Sequence, residues 1–251
     1  SFTAAVLAFL SFLLLYLGYF YLKIFIFLLS AILFFEWMRI ISQTQWIIRG
    51  LIALVFSSFV YFTPGYTALD LLFIISGSIV ISSFSAYFSI SAFWSCFGFI
   101  YVLTSLCFLE YLRNFENGLL TILLIISTIM ISDISGYIFG KYFSGPKIFK
   151  KISPNKTYSG FVASITLGTL WFSILSIIYS LHEPIIFIVI GLFIVVFSVS
   201  GDLLISYLKR NANLKDSGII LPGHGGLFDR GDSIIGVFFI LLLLAILMGQ
   251  L

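Results

Sequence analysis

Apolar runs, each bounded by charge, glycine, proline or a polar cluster, recur along the chain near 3–20, 23–39, 47–62, 68–86, 91–109, 118–139, 160–180, 184–207 and 233–250. A helix needs about 20 predominantly apolar residues to cross a hydrocarbon core, and these runs are of that length. The alternation of apolar and polar positions that marks a membrane barrel is absent. The pattern therefore predicts an all-α, polytopic integral membrane protein of about nine transmembrane helices. Thr63-Pro64-Gly65 separates the third and fourth runs, and His182-Glu183-Pro184 makes a short turn with Pro184 at a first helical position. No internal repeat breaks the chain up. It reads as one membrane-embedded domain, 1–251, with N-terminal helices over 1–130 and the polar chemistry in 131–251.

Composition strengthens this picture. With 61% hydrophobic and 9% charged residues and a mean hydropathy of +1.19, the chain cannot cover a soluble domain with polar surface. Cys96 and Cys107 sit in apolar context without metal-ligand spacing, and read as packing residues outside any disulfide framework. Ser1 rather than Met opens the chain, which leaves room for a targeting segment or extension ahead of it.

Charge matters through its distribution. With nine spans, the loops after the second, fourth, sixth and eighth share a face with the N-terminus. That face carries Arg39, Arg49, Lys141, Lys147, Lys150, Lys151, Lys156, Lys209, Arg210, Lys215 and Arg230, and the other only Lys23 and Arg113. This asymmetry predicts that the N-terminus and both long basic loops face the cytoplasm. The membrane expected is the bacterial inner membrane.

The candidate chemistry concentrates in those two loops and the helix ends feeding them. Asp133 lies late in an apolar run, where an uncompensated carboxylate costs roughly 2.5–3.5 kcal/mol on insertion scales. Tyr137 and Gly140 follow on the same helical face, so that face is expected to point into the bundle. Lys147, Lys150 and Lys151 read either as headgroup anchors or as attractors of phosphate, as do Lys156 and Thr157 just beyond them. In the second region, Ser198, Asp202, Ser206 and Lys209 fall on one helical stripe, a polar seam in a membrane helix. Lys215-Asp216 and Asp229-Arg230 then flank Pro222-Gly223-His224-Gly225-Gly226, whose glycines allow close backbone approach to a ligand. Carboxylates beside lysines and glycine-rich backbone suit a magnesium nucleotide site, because hard oxygens hold the metal while cations and amides hold phosphates. There is neither a P-loop nor a GxGxxG. His224 reads equally as a structural or a catalytic residue.

From Ser206 to Asp232 the residues resemble the signature of the CDP-diacylglycerol synthase, or phosphatidate cytidylyltransferase, family. The likeness rests on Ser206, Leu208, Lys209-Arg210, Lys215-Asp216, Gly218, Leu221-Pro222, His224-Gly225-Gly226-Leu227, Asp229-Arg230 and Asp232. Asp133, Gly136, Tyr137, Gly140, Ser153-Pro154, Lys156-Thr157 and Gly160 resemble a second block of that family, whereas 1–130 is similar only in kind. Gly231 departs, standing where the family usually has an apolar residue. The resemblance implies transfer of the cytidylyl group of CTP to phosphatidic acid, giving CDP-diacylglycerol and pyrophosphate. It implies Asp202 and Asp229 as ligands of Mg2+, with Asp216 or Asp232 completing the shell and a second cation nearby. Lys209, Arg210, Lys215, Arg230 and Lys156 would contact phosphates, His224 would orient a ligand, and Asp133, Thr157, Ser206, Gly225 and Gly226 would line the substrate site. The expected partners are CTP, phosphatidic acid and the bilayer, with a homodimer left open and no nucleic acid. A CTP-dependent kinase of a lipid alcohol is the alternative within the same chemistry. A cation or proton transporter would account for Asp133 and Asp202 but not for the glycine and Asp-Arg elements.

Overall fold

The computed structural model describes residues 12–63, 68–179, 184–218 and 225–248. Among these residues the chain forms nine helices and one small hairpin. A first helical stretch, α1 (residues 12–17), meets α2 (Tyr19–Ile41) at Gly18; α3 (Trp46–Phe62), α4 (Ala68–Tyr87), α5 (Ala92–Arg113) and α6 (Gly118–Phe143) follow. The hairpin of β1 (Lys147–Phe149) and β2 (Ser153–Thr157) leads into α7 (Tyr158–Ile178), α8 (Pro184–Asn211) and α9 (Phe228–Leu247).

Seven helices, α2 and α4 to α9, are long and apolar enough to cross a membrane. Helix α3 is equally greasy but has 17 residues, about 25 Å of rise, and the first half of the run expected at 3–20 falls outside the described residues. The all-α membrane architecture stands, and the count of nine spans is met by seven full-length candidates with α3 just below that length. Large side chains such as Leu71, Leu72, Ile75 and Ile79 of α4 are more than half exposed, which suits lipid and would be an unusually large apolar patch in water.

Two features depart from the expected layout. The first basic region is a hairpin rather than an irregular loop. Lys147 pairs with Thr157 and Phe149 with Ser153, antiparallel, and Pro154 is tolerated because every strand of a two-stranded ribbon is an edge. Helix α9 begins at Phe228, five residues earlier than the apolar pattern indicates, so Asp229, Arg230 and Asp232 belong to its first turns.

Small residues set how closely the helices approach. Gly136 and Gly140 of α6 meet Gly160 of α7 so tightly that a Cβ on Gly160 would stand 2.5 Å from the Gly136 carbonyl oxygen. Ser164 Oγ donates to the Ser132 carbonyl at 2.9 Å across the same seam. Gly201 of α8 and Gly236 of α9 repeat the arrangement, with the Asp232 carbonyl 2.6 Å from where a Gly201 Cβ would lie. This is the small-residue packing of membrane helices, where close van der Waals contact replaces hydrophobic exclusion.

The N-terminal half supplies the aromatic core. Trp37 of α2 donates its indole N–H to the Trp94 carbonyl at 2.8 Å and packs on Tyr101 and on Phe228, the first residue of α9. Arg49, counted with the charges of the basic face, is fully buried. Its guanidinium donates to the carbonyls of Met38, Ser42 and Thr44 and to Ser95 Oγ, tying the α2–α3 turn to α5.

Candidate active site

The helix contacts just described bring the C-terminal ends of α6 and α8, the N-terminal ends of α7 and α9 and the hairpin to one end of the bundle. Between them lies a cavity of about 360 Å³. Asp133 of α6, Lys156 and Thr157 of the hairpin, Asp202 of α8, and Asp229 and Asp232 of α9 all line it. These residues are separated by up to 99 positions in the chain, and the cavity collects most of the acids expected to act together. Ile148, Phe149 and Phe161 give it an apolar flank, and Tyr137, largely exposed on the outer surface of α6, forms part of its wall. The cavity thus combines charged groups with apolar and aromatic side chains, one of them exposed on the surface of the bundle.

Each acid has a distinct setting. Asp202 Oδ2 pairs with Lys156 Nζ at 2.5 Å, and its Oδ1 accepts from Ser206 Oγ one turn later at 3.1 Å. Asp229 Oδ1 pairs with Lys209 Nζ at 2.5 Å, while its Oδ2 accepts the backbone N–H groups of Ser217 and Gly226 at 2.8 and 2.9 Å. Asp232 is buried beside the Gly201–Gly236 crossing and accepts from Ser233 N at 2.8 Å. Asp133 stands open to the cavity. Four carboxylates therefore line the cavity against one lysine, with Lys209 behind Asp229.

Among the described residues, Ser206, Arg210, Lys215, Asp216, Gly225, Gly226 and Arg230 do not line the cavity. Arg210 is exposed and donates to the carbonyls of Ile152 and Leu214, fastening the hairpin turn to the end of α8. Lys215, Asp216 and Arg230 are exposed. Gly225 takes a positive φ of 83°, and a Cβ there would stand 2.7 Å from Asp229 Oδ2; a Cβ on Gly226 would collide with Ser217 Oγ and Glu36. These two glycines are explained by the loop closing on carboxylates of the protein itself. His224 lies outside the described residues. Thr157 caps α7, its Oγ1 accepting from Gly160 N at 3.2 Å.

One residue that holds the loop beside this site escaped the sequence reading. Glu36, in the middle of an apolar run, is 3% exposed and binds the loop before α9 through Ser217 Oγ, Leu227 N and Phe228 N. The signal that could have found it is the one that singled out Asp133, a lone acid in a membrane helix. Asn155 and Ser164 also line the cavity without having been singled out.

Carboxylates, lysines and an apolar flank at the end of a helical membrane bundle suit a reaction between a phosphorylated headgroup and a charged soluble partner. A match to the family model described as the cytidylyltransferase family spans residues 1–248. The chain belongs to the cytidylyltransferase family. It is similar to the phosphatidate cytidylyltransferase of Rickettsia typhi, 34% identical over 180 residues, 67% of this chain and 77% of that protein. It is also similar to the phosphatidate cytidylyltransferases of Bacillus subtilis, 40% identical over 56% of this chain and 54% of that protein, and of Brucella melitensis, 34% identical over 62% and 58%. The chain thus spans little more than half the length of the last two.

The resemblance drawn from the sequence implies Mg2+ at this site. Among the described residues no three histidine, cysteine or acidic side chains converge closely enough to form a complete protein cage. Mg2+ does not require one, since it keeps several waters and commonly takes one or two carboxylates plus substrate phosphates. Asp202 and Asp232, hard oxygen donors on the same cavity, fit that demand; Asp229, the other expected ligand, lines the cavity too, with its oxygens held by Lys209 Nζ and the N–H groups of Ser217 and Gly226.

Proposed function

We propose that this chain transfers the cytidylyl group of CTP to phosphatidic acid, giving CDP-diacylglycerol and pyrophosphate. The observation that carries the reading is the cavity itself, whose lining combines four carboxylates and Lys156 with the apolar and aromatic Phe149, Phe161 and Tyr137. A lipid whose phosphate must meet a water-soluble triphosphate needs that combination. The relatives' names supply the substrates, and the geometry supports a place for both.

In this reaction a phosphate oxygen of phosphatidate attacks the α-phosphorus of CTP, a new P–O bond forms, and the bond to the leaving pyrophosphate breaks. The nucleophile is already anionic at neutral pH, so no general base is required. Catalysis then rests on positioning and on neutralising the charge that accumulates on the phosphates. Lys156 reaches the cavity as a compact cation on a flexible stem and contacts a phosphate; Lys209 fixes Asp229 and the start of α9. Asp202 and Asp232 would hold Mg2+, which when bound supplies positive charge between these acids and the phosphates. Asp133 keeps that end of the cavity polar. The site faces the cytoplasm, where CTP resides, in keeping with the excess of Lys and Arg at this end; a reporter inserted near Ser144 is expected on the cytoplasmic side.

Purified protein given CTP and phosphatidate with Mg2+ is expected to release pyrophosphate and form CDP-diacylglycerol. Phosphorylation of a lipid alcohol with release of CDP would instead establish the kinase alternative.

A further inference from the structure

We propose that Glu36 is a positioning residue for this active site, a role that reaches from the N-terminal half into the catalytic one. Helix α9 starts without a capping side chain of its own, because its N-cap residue is Leu227. The first N–H groups of a helix have no intrahelical partner and must find one elsewhere. Here the partner is 191 positions away in the chain. Glu36 Oε1 accepts from Leu227 N at 2.9 Å and Oε2 from Phe228 N at 2.8 Å, which also places a negative charge at the positive end of the helix dipole.

The same carboxylate holds the other side of the loop. Ser217 Oγ donates to Glu36 Oε2 at 2.8 Å, and a Cβ on Gly218 or Gly226 would come within 2.5 or 2.6 Å of the Glu36 carboxylate oxygens. Glu36 is thus gripped by both ends of the segment that joins α8 to α9, and bare backbone is what lets that segment close on it. Asp229 repeats the device one layer further in, accepting from Ser217 N and Gly226 N while pairing with Lys209. Glu36 does not line the cavity. Its effect passes through the register of the first two turns of α9, on which Asp229 and Asp232 sit. A carboxylate buried this deeply and satisfied by three donors leaves those turns one position to occupy, since moving them would strand the charge.

The turnover readout rests on the cytidylyl-transfer reading, so a second readout independent of activity accompanies it. Glu36→Gln keeps size and shape but turns one acceptor oxygen into a donor facing a backbone N–H. In the purified full chain its kcat is expected to fall ten- to a hundredfold, with KM for CTP changed less than threefold. Amide hydrogen exchange at Leu227 and Phe228 is expected to quicken at least tenfold. Glu36→Asp, which keeps the charge one methylene short, should recover part of the loss, and it carries the same comparison if the Gln variant does not purify as a folded protein. Glu110→Gln, another buried carboxylate at the far end of the bundle, serves as the control for loss of stability alone. Wild-type kcat in Glu36→Gln, or an equal kcat loss in Glu110→Gln at equal loss of melting temperature, overturns the proposal. If the wild-type chain makes no CDP-diacylglycerol the functional reading fails, and exchange at Leu227 and Phe228 alone decides the role of Glu36.

Discussion

The bundle has a charged cavity at each end, and the larger one is not the candidate site. At the far end about 530 Å³ is lined by Lys23, Glu110 and Arg113 among others. There Lys23 Nζ pairs with Glu110 at 3.3 Å and donates to the Tyr61 carbonyl, while Arg113 donates to the carbonyls of Leu15 and Tyr16 at the end of α1. Each charge answers another charge or a helix end, and the group as a whole fastens α1, α2, α3 and α5. At the candidate site four carboxylates meet one lysine in the smaller space. Buried charge is expensive unless paired, so an excess of one sign is a demand for something from outside the chain. Charge balance, and not volume, separates a structural polar cluster from a site of chemistry in a membrane bundle.

The sharpest way to break the contrast is Asp202→Ala. Removing a carboxylate that serves a divalent-ion site forfeits several kcal/mol of charge stabilisation, so turnover is expected to drop by at least about a thousandfold while the protein stays folded by size-exclusion and melting. Full activity in that variant would mean the excess of acid at this end has no catalytic meaning. Next comes Gly201→Val. Its Cβ would press on the Asp232 carbonyl, overpacking of a kind that costs about 1–3 kcal/mol, and both melting temperature and turnover should fall as α8 and α9 part. A variant that melts and turns over normally would show that Asp232 does not need that crossing.

Lys156→Ala against Lys147→Ala sharpens the comparison within the hairpin. Lys156 meets Asp202 in the cavity, whereas Lys147 is exposed. Losing one charge-assisted phosphate contact corresponds to about 1.5–3 kcal/mol, so kcat/KM should fall roughly ten- to a hundredfold in the first. In the second the expected effect is about 1 kcal/mol or less and should fade in high salt. Equal, salt-sensitive losses would reduce the hairpin to an electrostatic collar. The smallest effect on turnover is expected from Lys23→Met at the far end. Kinetics should stay within about twofold, while stability should fall, by up to about 3–5 kcal/mol, because the buried Glu110 loses its ion-pair partner. A kinetic deficit like that of Lys156→Ala would bring the far cavity into the machinery after all.

Much of this was legible from residue order. Apolar runs of bilayer length dictate membrane helices because unpaired backbone cannot exist in hydrocarbon, and Asp133 and Asp202 announced themselves because carboxylates are costly there. Local spacing also foretold the one-turn contact of Ser206 with Asp202. The stripe broke at Lys209, which reaches across to Asp229 twenty residues on. It broke because a side chain on a long flexible stem finds the nearest opposite charge in space, not in sequence. The start of α9 was misjudged for a related reason. Asp229 and Arg230 look like loop by hydropathy, yet they are helical because the helix is capped from α2 by Glu36 and its first turn is paid in hydrogen bonds that the local sequence does not contain.

The chain's order alone thus determined that this is a helical membrane protein with its acids gathered towards the C-terminal half, since both follow from the solvation of single residues in a bilayer. Only the tertiary structure decided which of those acids share a cavity, that Gly218, Gly225 and Gly226 close on Glu36 and Asp229, and that Arg49 and Arg210 are ties within the fold. Those outcomes depend on distances between helices tens to hundreds of residues apart. The distances are set by pairs such as Gly201 with Gly236 and Gly136 with Gly160, and a pair of glycines has no meaning until the two helices that carry them have met.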